Sequence, residues 1–312
     1  MFKSVLFFIQ SRFPRNSTFL LGYSGGGDSK ALLMLLLECK QQYPFTLHLA
    51  HVNHNWRKES SDEARFLAEE AQTMGLSFHC KECDPSKISR VNLEAQGREL
   101  RIQFFSELYG HLGCSALFLG HQADDQAETV AKRVFEGASL LRLGGLVEES
   151  EIQGMRVCRP LLSVRKKALI AYLETKGISY FEDRTNHDPR FLRARTREQL
   201  FPFLSEWLGK ECRQNLVHLA KGAQELRSYF YTRLGHLLPQ AGDLDLSKAE
   251  LHPLEMEFLL REWLGRQGYV LSRSSLQGVI TALLQRTTRK FPIKEKKGWV
   301  QARKKIVTII YF

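Results

Sequence analysis

The sequence predicts an α/β fold, a doubly wound parallel sheet followed by a smaller, mostly helical C-terminal domain. Between Thr18 and Phe135, short apolar runs of strand length alternate with longer segments of helical spacing, the pattern of strands and helices laid down in turn. The first apolar run ends in glycines that lead directly into a leucine-rich helix. Length adds a third indication: 312 residues exceed one comfortable core and point to two domains of roughly 100–200 residues each.

Taken in order, Thr18 to Tyr23 reads as a strand and Lys30 to Cys39 as a buried helix. Phe45 to Val52 is a second strand, Ser61 to Met74 an amphipathic helix, and Ser77 to Cys80 a short third strand. Asn92 to Tyr109 has helical spacing, Ala116 to Gly120 is a strand, and Asp124 to Phe135 is a helix that opens on carboxylates. After Gly144 and Gly145 the alternation weakens, and Leu161 to Lys176 reads as a helix closed by Gly177. A basic, irregular stretch follows, and the boundary is expected between Pro202 and Arg213. This divides the chain into domains at 1–205 and 206–312, the second ending in strands between Gly298 and Phe312.

Lysine and arginine outnumber aspartate and glutamate by 45 to 34, a formal charge of +11. Such a surplus suits a polyanionic partner as well as a generic solvated surface. Its distribution favours the former: Arg190, Arg193, Arg195 and Arg197 form one cluster, and Arg289, Lys290, Lys294, Lys296, Lys297, Arg303, Lys304 and Lys305 another. Phe291 and Trp299 interleave with the second, where they either stack on unpaired bases or anchor a small core. Six scattered cysteines and no secretory signal pattern fit a reducing compartment, the cytoplasm. The longest apolar run, Ala31 to Leu37, is too short to span a bilayer, so no membrane segment is expected.

Chemistry concentrates first in Ser24-Gly25-Gly26-Gly27-Asp28-Ser29. Three glycines allow positive φ and a close approach to a ligand, so their N–H groups can cradle anionic oxygens at the start of a helix. Ser24 and Ser29 add hydroxyls. Asp28 beside phosphate is repulsive unless a divalent cation intervenes, which assigns it to magnesium (Mg2+). No lysine follows the glycines in the Gly-Lys-Ser/Thr arrangement, so this is not the ordinary P-loop. In open α/β sheets ligands bind beyond the strand ends, where His51, Asn53 and His54 also fall. His121 either caps the following helix or touches phosphate. On that helix Asp124, Asp125 and Glu128 share one face by their i, i+3 and i, i+4 spacing. They suit magnesium, an ammonium group, or simply a helix opening on favourable charges.

Tyr23-Ser24-Gly25-Gly26-Gly27-Asp28-Ser29 resembles the SGGxDS loop of the PP-loop superfamily, whose members split ATP between its α and β phosphates. The resemblance implies an adenine nucleotide alpha hydrolase-like fold, AMP transfer and pyrophosphate release. Further blocks narrow it. His51-Val52-Asn53-His54 with Arg57, then Glu94-Ala95 with Arg98, Arg101 and Phe105, resemble segments of the tRNA(Ile)-lysidine synthetase family. So do His121 with Asp124 to Thr129, Arg159-Pro160-Leu161-Leu162, and Glu182 to Asn186. Asn55-Trp56, Glu136 to Ser139, and Ala194 with Thr196 depart from the family pattern.

That resemblance implies ligation of free L-lysine to carbon 2 of the wobble cytidine of tRNA(Ile) with a CAU anticodon, through an adenylated cytidine. By the same match Asp125 and Glu128 orient and deprotonate lysine, Arg98 or Arg101 offsets developing charge, and Asp28 holds magnesium. The same resemblance implies that Ser24, Gly25, Gly26, Gly27, Ser29, His51, Asn53, His54 and His121 contact ATP. Cys80-Lys81-Glu82-Cys83 keeps one alternative open, a PP-loop tRNA thiolase that uses a CxxC pair.

Overall fold

The computed structural model describes residues 1–55, 59–84, 93–181, 192–294 and 298–311. Two compact units form, Met1–Ala138 with Gly144–Ala220, and Ser139–Leu143 with Lys221–Phe312. Arg57, Glu182 to Asn186, Arg190, Lys296 and Lys297 lie outside the described residues.

The first unit runs α1 (Phe2–Gln10), β1 (Thr18–Gly22), α2 (Gly27–Gln42), β2 (Thr46–Asn53), α3 (Ser60–Thr73) and β3 (Ser77–Glu82). It continues with α4 (Leu93–His111), β4 (Ala116–Leu119), α5 (Ala123–Phe135), β5 (Glu149–Ile152), β6 (Met155–Cys158), α6 (Lys166–Thr175), α7 (Leu192–Arg195) and α8 (Phe201–Leu208). Among the described residues these strands make a sheet of order β3-β2-β1-β4-β6-β5. Every neighbouring pair is parallel except β5 and β6.

The side-chain alternation of β1 explains the layers. Phe19, Leu21 and Tyr23 point to one face, into a core shared with α1, α2, α3 and α6. Leu20 points to the other, against Phe104 and Phe105 of α4. A strand buried on both sides reads as a continuous apolar run, which is why Thr18–Gly22 is legible from sequence. A third cluster joins Ala127 and Ala131 of α5 to Phe201 of α8 and to Cys212. Two alanines leave α5 a shallow face on which Phe201 is fully buried, and that packing sets where the residues just before Phe201 fall.

Two features differ from expectation. The β5–β6 hairpin is absent from the sequence reading. It turns on Gln153 (φ 48°) and Gly154 (φ 76°), the two left-handed residues of a type I′ turn, without the usual Asn-Gly signal. The helix expected from Leu161 begins only at Lys166, because Leu162 and Val164 N–H close turns onto Arg159 O and Leu161 O at 3.2 and 2.8 Å. The Asp124 carboxylate then accepts from Lys166 N at 2.9 Å and starts the helix there.

The second unit contains the later part of α9 (Arg213–Leu234), β7 (Leu244–Asp245), α10 (Pro253–Arg266), α11 (Arg273–Leu284), β8 (Arg289–Pro292), β9 (Gly298–Arg303) and β10 (Ile306–Tyr311). Its strands form an antiparallel sheet of order β7-β10-β9-β8. Trp263, Phe258 and Leu259 fill the core between helices and sheet. Phe291 is partly buried against this core: a Cβ on Gly278 would sit 2.3 Å from its ring, so the aromatic packs β8 against α11. Arg289, Lys290, Arg303 and Lys304 are exposed.

Phe201→Ala is expected to cost about 3–5 kcal/mol, the usual penalty for a fully buried phenylalanine, measured by denaturant unfolding of the whole chain.

Candidate active site

The glycine loop sits where β1 hands over to α2. Of the three glycines only Gly25 adopts positive φ, 77°, which narrows the expectation that all three would. A Cβ on Gly25 would lie 2.8 Å from Leu67 Cδ2 and 2.9 Å from Phe181 Cδ2, so both conformation and space demand glycine there. Gly27 is needed for space alone, because Ile170 Cδ1 would stand 2.8 Å from its Cβ. Ser29 turns inward: its hydroxyl donates to Gly26 O at 3.0 Å and lies 3.0 Å from Ser24 Oγ. The loop is therefore braced by its own hydroxyls before any ligand arrives.

A buried trio that the sequence reading missed lies behind the loop. Lys30 is 2% exposed and is ion-paired with Glu70, whose other oxygen accepts from Tyr23 Oη at 2.7 Å. Lys30 Nζ also reaches Tyr23 Oη at 3.3 Å. These contacts tie the end of β1 and the first turn of α2 to α3. The available signal was a lysine inside a leucine-rich helix, which a buried charge tolerates only when paired.

His51 and Asn53 lie at the end of β2, as expected, and His54 follows directly after it. His51 Nδ1 donates to Tyr23 O at 2.9 Å, and Asn53 Oδ1 accepts from Asn55 N at 2.9 Å. Burial lowers His51, and burial with Arg101 holds His54 down to about 4. His121, at the end of β4, is pushed to about 3 by burial and then by Arg159, Arg193, Arg101 and Arg98. These imidazoles are neutral at pH 7 and act as hydrogen-bonding groups, not cations. Arg98 and Arg101, on the exposed side of α4, thus converge with His121. Arg159 is fixed by donating from Nη1 to Val147 O at 3.0 Å and Ser150 Oγ at 2.9 Å.

The acidic face of α5 divides. Gln122 caps the helix, its side-chain oxygen accepting from Asp124 N at 2.6 Å while Asp125 Oδ2 accepts from Gln122 N at 3.0 Å. Asp124 leaves the expected trio: besides capping α6, it faces Arg165 Nη2 at 3.5 Å and Arg213 Nε at 3.8 Å. Asp125 and Glu128 turn instead toward Arg197, which donates from Nε to Glu128 Oε1 at 2.7 Å and brings Nη2 to 4.0 Å from Asp125 Oδ1. Arg197 lies in a single π-helical turn, Thr196–Leu200, immediately before the buried Phe201. Along the chain Arg197 groups with a nucleic-acid patch; paired this way, it belongs to the site. Only the fold could show this, since 69 residues separate it from Glu128.

Asp28 joins them because Gly120 lacks a side chain. A Cβ there would stand 3.0 Å from Asp28 C and Ser29 N, so the end of β4 lies directly on the first turn of α2. Burial, then Asp125, raises Asp28 to about 6, against the opposing pull of Lys166, Arg197 and Gln122. Burial also raises Asp125 and Glu128.

Asp28 Oδ1 is buried without a hydrogen-bond partner among the described residues, and no cluster of three or more potential metal ligands occurs among them. This donor set fits a cation that takes one or two carboxylates and completes its shell with phosphate oxygens and water, as magnesium does. Cys80 and Cys83 behave differently: burial raises both thiols above their ordinary value, the reverse of what a sulfur-carrying thiolate needs. Cys83 instead pairs through its backbone with Asn53 O and Asn55 Nδ2.

Residues 3–204 match the family model of the PP-loop domain, ATP_bind_3. Fold and loop together define a PP-loop ATP-using protein. The chain is 36% identical to the tRNA(Ile)-lysidine synthase of Chlamydia muridarum (strain MoPn / Nigg), covering 96% of this chain and 95% of that one. It is 35% identical to the tRNA(Ile)-lysidine synthase of Protochlamydia amoebophila (strain UWE25) over 88% of its own length, and spans 62% of that longer relative. Among solved structures, the U34-tRNA thiolase NcsA from Methanococcus maripaludis with its 4Fe-4S cluster aligns with a TM-score of 0.58 over 72% of this chain and 77% of that one. At 18% identity that likeness is one of fold. The chain belongs to the tRNA(Ile)-lysidine synthase family.

A carboxyl raised on folding contributes stability that is present below its unfolded value, near 3.9, and is lost as pH rises through its folded one. With Asp28 at about 6, Asp28→Asn is expected to stabilise the ligand-free protein by roughly 1–3 kcal/mol at pH 7.5 and not at pH 4, read by chemical denaturation at the two pH values.

Proposed function

We propose that the chain ligates lysine to carbon 2 of the wobble cytidine of tRNA(Ile) carrying a CAU anticodon, by way of an adenylated cytidine. The observation that carries this reading is the juxtaposition of a phosphate-binding loop with two buried carboxylates, Asp125 and Glu128, across Asp28. A loop that only held phosphate would be weakened by such carboxylates. A reaction that must also bind and deprotonate an ammonium requires them.

In this reading the backbone N–H groups at the start of α2 receive the phosphates of ATP, aided by the partial positive charge of the helix. His51, Asn53 and His54 face the nucleotide from the end of β2. Asp28 would hold magnesium, which when bound would neutralise phosphate charge. The cytidine oxygen at carbon 2 attacks the α-phosphorus, and one of Arg98 or Arg101, beside His121, offsets the charge that develops. Lysine then enters with its ε-ammonium toward Asp125 and Glu128. In the buried setting of these carboxylates their proton affinity is raised, which brings them closer to the task of accepting a proton near neutral pH. The exposed cations of β8 and the β9–β10 turn suit the tRNA backbone, and a cytoplasmic setting accords with that substrate. The thiolase reading is disfavoured by the 36% identity to a tRNA(Ile)-lysidine synthase over 96% of this chain.

Incubation of CAU-anticodon tRNA(Ile) with the protein, ATP, magnesium and lysine should add one lysine at the wobble cytidine, seen by mass spectrometry, with pyrophosphate and AMP released. Thiolation upon supply of a sulfur donor, with no addition of lysine, would replace this reading by the alternative. Asp125→Asn should lower lysidine formation by about 10²–10⁴-fold without lowering the melting temperature. Charge reversal of Arg289, Lys290 and Lys304 together should weaken tRNA binding and flatten its salt dependence, by roughly one in slope for each phosphate that is no longer neutralised.

A further inference from the structure

We propose that Arg197 is the positioning residue for the lysine-transfer step, holding one oxygen of Glu128 so that the other serves as the proton acceptor for the incoming amine. This rests on the lysine-ligase reading above and assigns within it a role to a residue outside the expected site.

The two oxygens of Glu128 are not equivalent. Its side chain is 2% exposed. Oε1 accepts from Arg197 Nε at 2.7 Å, whereas Oε2 is buried with no hydrogen-bond partner among the described residues. A buried carboxylate oxygen left unsatisfied is costly, and its persistence marks a place prepared for a donor. The groups that face Glu128 are Asp125 on α5, Arg197 on the π turn and Arg193 on α7. The cations favour its ionised form and the aspartate opposes it. π turns inside helical stretches recur at functional sites. Here the π turn lies between Arg195 and the anchor Phe201, which fixes Arg197 from behind through the Ala127–Ala131 face.

In the transfer step one proton of the lysine ε-ammonium passes to Glu128 Oε2, and the freed nitrogen lone pair forms the bond to carbon 2. The bond from carbon 2 to the bridging oxygen breaks, AMP departs with its electron pair, and Glu128 returns the proton to solvent. Arg197 touches neither substrate in this scheme. It keeps Glu128 ionised and turned the right way until the amine arrives.

The test separates the two half-reactions in wild type, Arg197→Met and Arg197→Lys. Pyrophosphate release with tRNA and ATP, without lysine, reports adenylation; AMP release and lysidine formation over pH 6 to 9 report transfer. Removing the cation raises the proton affinity of Glu128, and a base works only above its pKa. Arg197→Met should therefore move the acidic limb of lysine transfer to higher pH and cut kcat for transfer at least tenfold at pH 7, a clearly larger loss than in adenylation. Arg197→Lys, which restores the charge but not the directed N–H, should return the limb toward its original pH. An unchanged pH profile in Arg197→Met, or equal losses in both half-reactions, would overturn the assignment. Absence of lysine transfer in the wild type would instead remove the underlying ligase reading, so the two failures are distinguishable.

Discussion

The arrangement of the site follows from the burial of three carboxylates close to one another. Asp28, Asp125 and Glu128 each have their proton affinity raised by burial, and Asp125 raises the other two further. Such a cluster stands only if cations and dipoles oppose the repulsion. Arg197 opposes it at all three carboxylates, Lys166 at Asp28 and Asp125, Arg193 at Asp125 and Glu128, and the N-terminus of α5 contributes its aligned peptides. Much of the local packing reads as the means of holding these groups. Gly120 lets α2 lie against the end of β4, and the alanine face of α5 seats Phe201, and with it the turn that carries Arg197.

A second buried charge system performs the same service for the loop. Lys30 and Glu70 would each be costly alone inside the fold, but together with Tyr23 they satisfy one another. Because they reach from β1 and α2 to α3, the backbone of Ser24 to Gly27 is held by elements on both sides. Its hydroxyls are spent on internal bonds. A phosphate ligand would thus meet amides already in place, with little ordering cost on binding.

The histidines of the strand ends extend this logic of charge. His54 and His121 are kept neutral by burial and by arginines nearby, so the positive potential on that side of the site comes from guanidinium groups that stay charged at every working pH. Negative potential is concentrated at Asp28, Asp125 and Glu128. The site thus sets fixed guanidinium charge close to a cluster of carboxylates, so neither sign of charge depends on a histidine titrating.

The strand–loop–helix order, the parallel sheet and the candidate residues of the loop, of β2 and of α5 were legible in the sequence, because each rests on local periodicity or on a contiguous motif. Length and apolar pattern place Gly25 before a helix, and Asp125 and Glu128 one turn apart on α5, whatever the rest of the chain does. Several things were not local. That of the loop glycines Gly25 alone takes positive φ, that Asp124 turns away to cap α6, that Phe291 packs on the C-terminal core, and that Lys30 has Glu70 for a partner all depend on what another segment brings alongside. Arg197 is the sharpest case. In sequence it is one arginine of a basic run that suits a polyanionic partner. Its role follows only from a distance in space to Glu128, set by the packing of Phe201 on α5, and no reading of neighbours along the chain contains that distance.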